Sequence, residues 1–220
     1  MNRKIKILLI ISIVIIFILI IMILLYKFNI IQHKQYSNSY FGIEQYISCV
    51  DKDNDGIDDQ TDILNSAKEY VATKPKYQSK YYGIGYPDDG YGVCTDVVAI
   101  ALKNSGYDLM ELVNEDVINN KEKYDIDIID KNIDFRRVKN LDVYFKNNSI
   151  SLTTDLKQID QWQGGDIIVF KDHIGIISDK RNKNGVPFLI HHANPIQINY
   201  EEDVLELYDK DYIIGHYRIS

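Results

Sequence analysis

From Ile7 to Tyr26 the chain carries no charged side chain and consists almost wholly of Ile, Leu, Val, Phe and Met. An apolar run of that length, at about 1.5 Å per residue, matches the roughly 30 Å hydrocarbon thickness of a bilayer. A signal peptide has a shorter apolar core and a small-residue cleavage site. Here the chain continues as Tyr26-Lys27-Phe28-Asn29. The pattern predicts an uncleaved signal anchor over 7–26, with 1–6 as a cytoplasmic tail. Arg3, Lys4 and Lys6 before the span against Lys27 and Lys34 after it place the C-terminal part outside the cytoplasm.

Beyond the anchor the pattern changes twice. Residues 27–50 are polar, tyrosine-bearing and without period, and read as a stalk. Ile63, Ala67, Tyr70 and Val71 then recur at helical spacing, with Pro75 beyond them. An irregular tyrosine- and glycine-rich loop over 77–93 leads to a helix opening at Cys94 and closing near Gly106. Further helices are expected over 109–120 and 141–147, with an unassigned acidic segment between them. The C-terminal third turns to short β-rich runs at 166–170, 173–178, 187–192 and 213–219, with an Asn182-Lys183-Asn184-Gly185 turn. Helices followed by an antiparallel sheet give an α+β class, one domain over 63–220.

Charge narrows the partners. Taking Arg3, Lys4, Lys6 and Lys27 from the whole-chain −7 leaves −11 for the remainder. So acidic a surface lacks the basic patch that phosphate backbones require, which argues against nucleic acid. Two cysteines, Cys49 and Cys94, are too few for a disulfide scaffold. Cys49 reads as a small buried apolar residue, and Trp162 as core.

Residues 51–62 place oxygen side chains at Asp51, Asp53, Asp55, Asp59 and Asp62, with Gly56 at the sixth position and the Ile57 carbonyl at the seventh. A hard dication wants six or more oxygens, and this is the spacing of an EF-hand-like calcium loop. A helix starting at Asp62 would follow it. Asp62 replaces the usual glutamate, which makes bidentate ligation harder. The expected cofactor is a structural Ca2+.

The chemistry concentrates later. Cys94, in Gly92-Val93-Cys94-Thr95-Asp96, opens a helix whose amides favour a thiolate and an oxyanion. His173 follows the Lys171-Asp172 turn and precedes the small Gly175. If Ser178 and Val186 pair across the hairpin, the same register sets His173 opposite His191, and a one-residue slip substitutes His192. Cysteine, histidine and an orienting polar group form the layout of a thiol hydrolase. Asp96 reads as a structural carboxylate of the first helical turn. Arg136 and Arg137 are either solvated charges or a clamp for a substrate carboxylate.

Gly92-Val93-Cys94-Thr95-Asp96-Val97-Val98, Asn132-Ile133-Asp134-Phe135-Arg136-Arg137-Val138, Asn140-Leu141, Gly165-Asp166-Ile167-Ile168, the run from His173 to Asp179, Ile190-His191 and Gly215-His216-Tyr217-Arg218 together resemble domain-of-unknown-function family 1287. That family is placed with the NlpC-type, papain-fold cell-wall peptidases and amidases, and its members are bacterial and mostly exported. The resemblance implies Cys94 as nucleophile, His173 as base and acid, and His191 as the orienting residue; the family's substrate is not established, and the expected one is a peptide or amide bond of the cell wall. The resemblance also implies an oxyanion tyrosine ahead of the cysteine, for which Tyr82, Tyr86 and Tyr91 are candidates. Two departures stand out. The family often has His-Asn at His191-His192, and usually Tyr-Pro-Gly-Gly-Asp at Tyr86-Pro87-Asp88-Asp89-Gly90. The rival expectations are a non-catalytic wall-binding or scaffold module and an acyltransferase of the same fold.

Overall fold

The computed structural model describes residues 3–27, 29–31 and 33–219. Met1 and Asn2 of the expected tail, Phe28 and Gln32 of the expected stalk, and Ser220 lie outside the described residues. The chain divides into two compact units, Met1–Lys34 and Gln35–Ser220.

In the first unit, helix α1 (Arg3–Lys27) has none of its residues buried. It is long and apolar enough to span a membrane or to serve as a signal sequence.

The second unit is α+β. Helices α2 (Asp59–Ala72), α3 (Cys94–Asn104), α4 (Leu109–Asn119), a short α5 (Lys131–Asp134) and α6 (Val138–Asn148) precede most of the sheet. Strands β1 (Lys76–Tyr77) and β2 (Tyr91–Gly92) form a small parallel pair ahead of α3. The main sheet holds β3 (Ile150–Ser151), β4 (Ile167–Phe170), β5 (Ile174–Arg181), β6 (Pro187–Ile190), β7 (Glu201–Glu202) and β8 (Ile213–Arg218). Its order is β3-β8-β4-β5-β6-β7, and every pairing is antiparallel.

Because strand side chains alternate between faces, β4 divides its four residues between two cores. Ile167 and Val169 join the helix-side core with Ile174, Ile176 and Ile190, against Val97, Ala101 and Leu141. Ile168 and Phe170 join Trp162, Ile177, Leu189 and Leu205 on the other face. All four residues of β4 and β6 are buried, as befits central strands covered on both sides.

Several sequence expectations need correction. Residues 35–50 are no stalk, since they belong to the second unit. Tyr36 pairs its backbone with Arg181, and Gln163 bonds the Glu44 carbonyl, the Tyr46 amide and the Asn38 side chain. Helix α2 begins at Asp59 rather than Asp62, because the Asp58 side chain caps it by accepting from the Thr61 amide. Cys49 is exposed, not buried, and neither cysteine is in a disulfide. Trp162 is fully buried, as expected.

Candidate active site

The β5–β6 register differs from the expected one by two residues. Ile176 faces Ile190 and Ile177 faces Leu189, which puts Gly175, not His173, opposite His191. A two-residue shift preserves the face, so His173 and His191 become diagonal neighbours. Rings can reach across that distance only when the position between them is clear. Gly175 clears it. A Cβ there would lie 2.8 Å from the Ile190 carbonyl oxygen and 3.2 Å from the His191 Cβ. His173 Nε2 and His191 Nδ1 consequently meet at 2.8 Å.

The line continues outward. Strand β7 pairs Glu202 with Leu189, so Glu202 shares a face with His191, two residues along. Its Oε2 lies 2.9 Å from His191 Nε2, and Gln197 Nε2 donates to the same oxygen at 3.0 Å. Glu202 escaped the sequence reading because β7 is two residues long, too short to show a period.

His192 points to the opposite face. Its ring stands edge-on to Tyr77 and beside Tyr200, and its buried Nδ1 has no partner. Between the two adjacent histidines, only His191 bonds His173.

Cys94 sits at the first position of α3, half-buried. Asp96 holds the helix start, accepting from the Val93 amide at 2.8 Å. The Ile174 amide, next in the chain to His173, faces the sulfur along with the Thr95 amide. Among the described residues no hydrogen bond joins Cys94 directly to His173. Such contacts are often open in unliganded enzymes.

Burial pushes the Cys94 thiol up to about 11, with the Ile174 and Thr95 amides opposing the rise. Burial, followed by the neighbouring rings of His191 and His192, pushes His173 down to about 3. Taken singly, both directions favour the neutral form, against the thiolate that a helix N-terminus alone would favour. Desolvation outweighs the helix amides at this position.

The three expected oxyanion tyrosines are engaged elsewhere. Tyr82 donates to Asp89 at 2.8 Å, and Tyr86 donates to Asp108 at 2.7 Å and packs on Phe135. The Tyr91 ring lies 3.6 Å beneath the Lys80 ammonium. Tyr77 and Tyr212 instead fall within electrostatic range of the Cys94 sulfur. Tyr212 donates to Asp172, and Tyr77 is on β1, exposed. Tyr77 lay at the edge of the loop read as irregular, and its strand is again only two residues long.

Arg136 is not a substrate clamp. It is buried and grips Asp96 with two bonds, Nε at 2.6 Å and Nη2 at 2.8 Å, while Nη1 donates to the Lys80 carbonyl at 2.6 Å. Each of its three nitrogens donates within the protein, two of them to the carboxylate that holds the Cys94 helix start. Arg137 stays exposed, 3.8 Å from Asp134.

Residues 64–219 match the family described as "Domain of unknown function (DUF1287)". The chain belongs to the DUF1287 family. This DUF1287 chain is also 33% identical over 169 residues to the uncharacterized protein YijF of Escherichia coli (strain K12), an alignment spanning 71% of this chain and 80% of that protein. No solved structure matches it. The family region begins inside α2 and contains Cys94, His173, His191 and Glu202, whereas α1 and the acidic loop precede it.

In that loop the Asp51, Asp53 and Asp55 carboxylates offer oxygens within 4.8 Å of one another. Gly56, at φ +93, makes the sharp turn there. Asp62 lies near them: burial first, then Asp53, Asp55 and Asp59, raise its carboxyl above the ordinary value. Asp59 departs from the expected set. Its carboxylate accepts from the Lys52 amide at 2.8 Å and from the Tyr107 hydroxyl.

Proposed function

We propose that this DUF1287 protein is a membrane-anchored, outward-facing cysteine hydrolase of papain-like architecture, acting on a peptide or amide bond of the bacterial cell wall. The observation that carries the reading is the His173 Nε2 to His191 Nδ1 bond of 2.8 Å, with the amide of the next residue, Ile174, facing the sulfur of a cysteine that opens a helix. Nothing in packing alone calls for a half-buried and a buried imidazole joined nitrogen to nitrogen and tied to a carboxylate.

Each shifted group reflects a lone charge in a dry site. Passing the thiol proton to His173 makes both charges together, so each offsets the desolvation of the other, and the Thr95 and Ile174 amides assist. The thiolate then attacks the amide carbonyl. The oxyanion is held by backbone N–H groups around Cys94 and by the Tyr77 hydroxyl. His173 returns its proton to the leaving amine, and water releases the thioester.

A structural Ca2+ in the acidic loop completes the proposal. Asp51, Asp53, Asp55 and Asp62 suit it, and Asp59 does not. Millimolar calcium should raise the melting temperature by a few degrees, and Asp53→Ala should abolish the shift.

The test of the activity uses the full chain in detergent. Peptide fragments of bacterial wall are incubated with it, and newly released amine is measured beside iodoacetamide labelling of Cys94, with exposed Cys49 for comparison. Release that disappears in Cys94→Ala and in His173→Ala supports the reading. Absence of release, with Cys94 labelling indifferent to His173→Ala, would sink it.

A further inference from the structure

We propose that Glu202 is a positioning residue: by fixing the tautomer of His191 it decides which nitrogen of His173 is free to take a proton. The role assigned to that proton rests on the hydrolase reading above, whereas the tautomers themselves do not.

The argument runs inward from the carboxylate. An ionised carboxylate only accepts hydrogen bonds. Glu202 Oε2 lies 2.9 Å from His191 Nε2, so that nitrogen carries the hydrogen. A neutral imidazole has one N–H, which leaves His191 Nδ1 as an acceptor. At 2.8 Å from it stands His173 Nε2, which must then donate. His173 Nδ1 is left with a bare lone pair. In the catalytic step the S–H bond of Cys94 breaks and an N–H bond forms at His173 Nδ1. The electron pair stays on sulfur. The resulting imidazolium keeps its Nε2 hydrogen on His191, and the Glu202 charge faces it through that ring.

Without Glu202 the line has no preferred direction. A hydrogen on His191 Nδ1 would donate to His173 Nε2 and move the His173 hydrogen to Nδ1, where it blocks proton uptake. Local structure holds Glu202 to its task. Gln197 donates to its Oε2 at 3.0 Å and to the His191 carbonyl at 3.3 Å, while the Gln197 side-chain oxygen accepts from the Ala193 amide at 2.6 Å. The β6–β7 pairing adds the register, Leu189 to Glu202 and Ile190 to Glu201. A carboxylate behind a histidine that faces a nucleophile is a known way to set its tautomer. Here a second histidine stands between them.

The experiment is nitrogen NMR of the full chain in detergent micelles, labelled with 15N at its five histidines, at neutral pH. Expected in the wild type are Nε2–H tautomers for both His173 and His191. Glu202→Ala should mix or reverse both, Glu202→Asp should restore them in part, and iodoacetamide labelling of Cys94 should slow on the order of tenfold in Glu202→Ala. Melting curves report whether each variant folds. The wild-type spectrum decides even where a variant does not. A wild-type His173 protonated on Nδ1, or tautomers and labelling unmoved by Glu202→Ala, would overturn the proposal. Tautomers as stated together with no release from wall fragments would support the Glu202 role and count against the hydrolase alone.

Discussion

His216 and His173 each pass a ring nitrogen along a line of hydrogen bonds to a carboxylate, and the two lines differ in where they stop. His216 Nδ1 meets the Thr153 carbonyl at 2.7 Å and its Nε2 meets Asp166 at 2.9 Å, with the ring stacked flat on Trp162 at 3.8 Å. Asp166 further takes two bonds from Arg218, one from the Gln60 side chain and one from the Gln163 amide. Both nitrogens of that histidine are occupied, and nothing is left for a ligand. In the His173 line, Nε2 is occupied and Nδ1 has no partner among the described residues. Identical side-chain chemistry thus serves as a buried tie in one place and as an unfinished relay in the other. The amide of Ile174, the residue after His173, faces the Cys94 sulfur.

The comparison predicts opposite consequences for removing the two carboxylates. Asp166→Ala leaves Arg218 and buried His216 without their counter-charge and should cost about 3–5 kcal/mol, measured by chemical denaturation. Glu202→Ala, at the margin of the sheet, should cost only about 1–2 kcal/mol while slowing Cys94 labelling. Equal stability losses would erase the distinction between tie and relay. Arg136→Ala belongs with Asp166, because it strands buried Asp96 at the start of α3. It should lose a comparable 3–5 kcal/mol. A variant that kept its stability and merely bound substrate less well would restore Arg136 as a clamp.

Cys94 and His173 were legible as candidates because each sits at a boundary that local pattern marks, a helix start at Cys94 and the residue before a strand at His173. Helix α4, expected over 109–120, spans Leu109–Asn119, and the four β-rich runs are all strands. What local pattern lacked was long-range. Arg136 reads as an exposed arginine until the fold brings Asp96 within 2.6 Å, 40 residues away. The three tyrosines nearest in sequence to Cys94 proved to be anchors for Asp89, Asp108 and Lys80. Parity survived where register did not: the two-residue shift kept His191 on the face of His173, whereas a one-residue slip would have delivered His192.

Gly175 sharpens the comparison at the next level of effect. A methyl group there collides with the Ile190 carbonyl oxygen and crowds His191, so Gly175→Ala should destabilise by about 1–3 kcal/mol. Its diagnostic consequence is local. The His173–His191 bond crosses this position, so Cys94 labelling should slow in Gly175→Ala while the His216 resonances hold their wild-type shifts. If both histidines responded alike, the two arrays would be one mechanical unit, and the separate-line description would fail.

The smallest effect is set by pH, and it separates the depressed histidines from the carboxylates by the pH window in which each acts. His173 is held down to about 3 and His192 to about 4, burial being the first cause in both. In the unfolded chain each takes a proton near pH 6.5. Below that value the unfolded state binds protons that the folded state refuses, so stability is fully present above pH 6.5 and falls as pH drops toward 3–4. Each histidine should contribute a loss of about 1 kcal/mol between pH 6.5 and 5.5. Carboxylates with depressed values, such as Asp58 and Asp108, act with the same sign only at lower pH, since their ordinary value is 3.8. His192 has an unpartnered buried Nδ1, so His192→Gln removes one of the two refusing groups and should halve the slope in that window. His173→Gln should remove the other half and also the Cys94 response. A slope unchanged by either substitution would mean that both rings accept protons inside the folded protein. The neutral forms of His173 and His192 would then have to be abandoned.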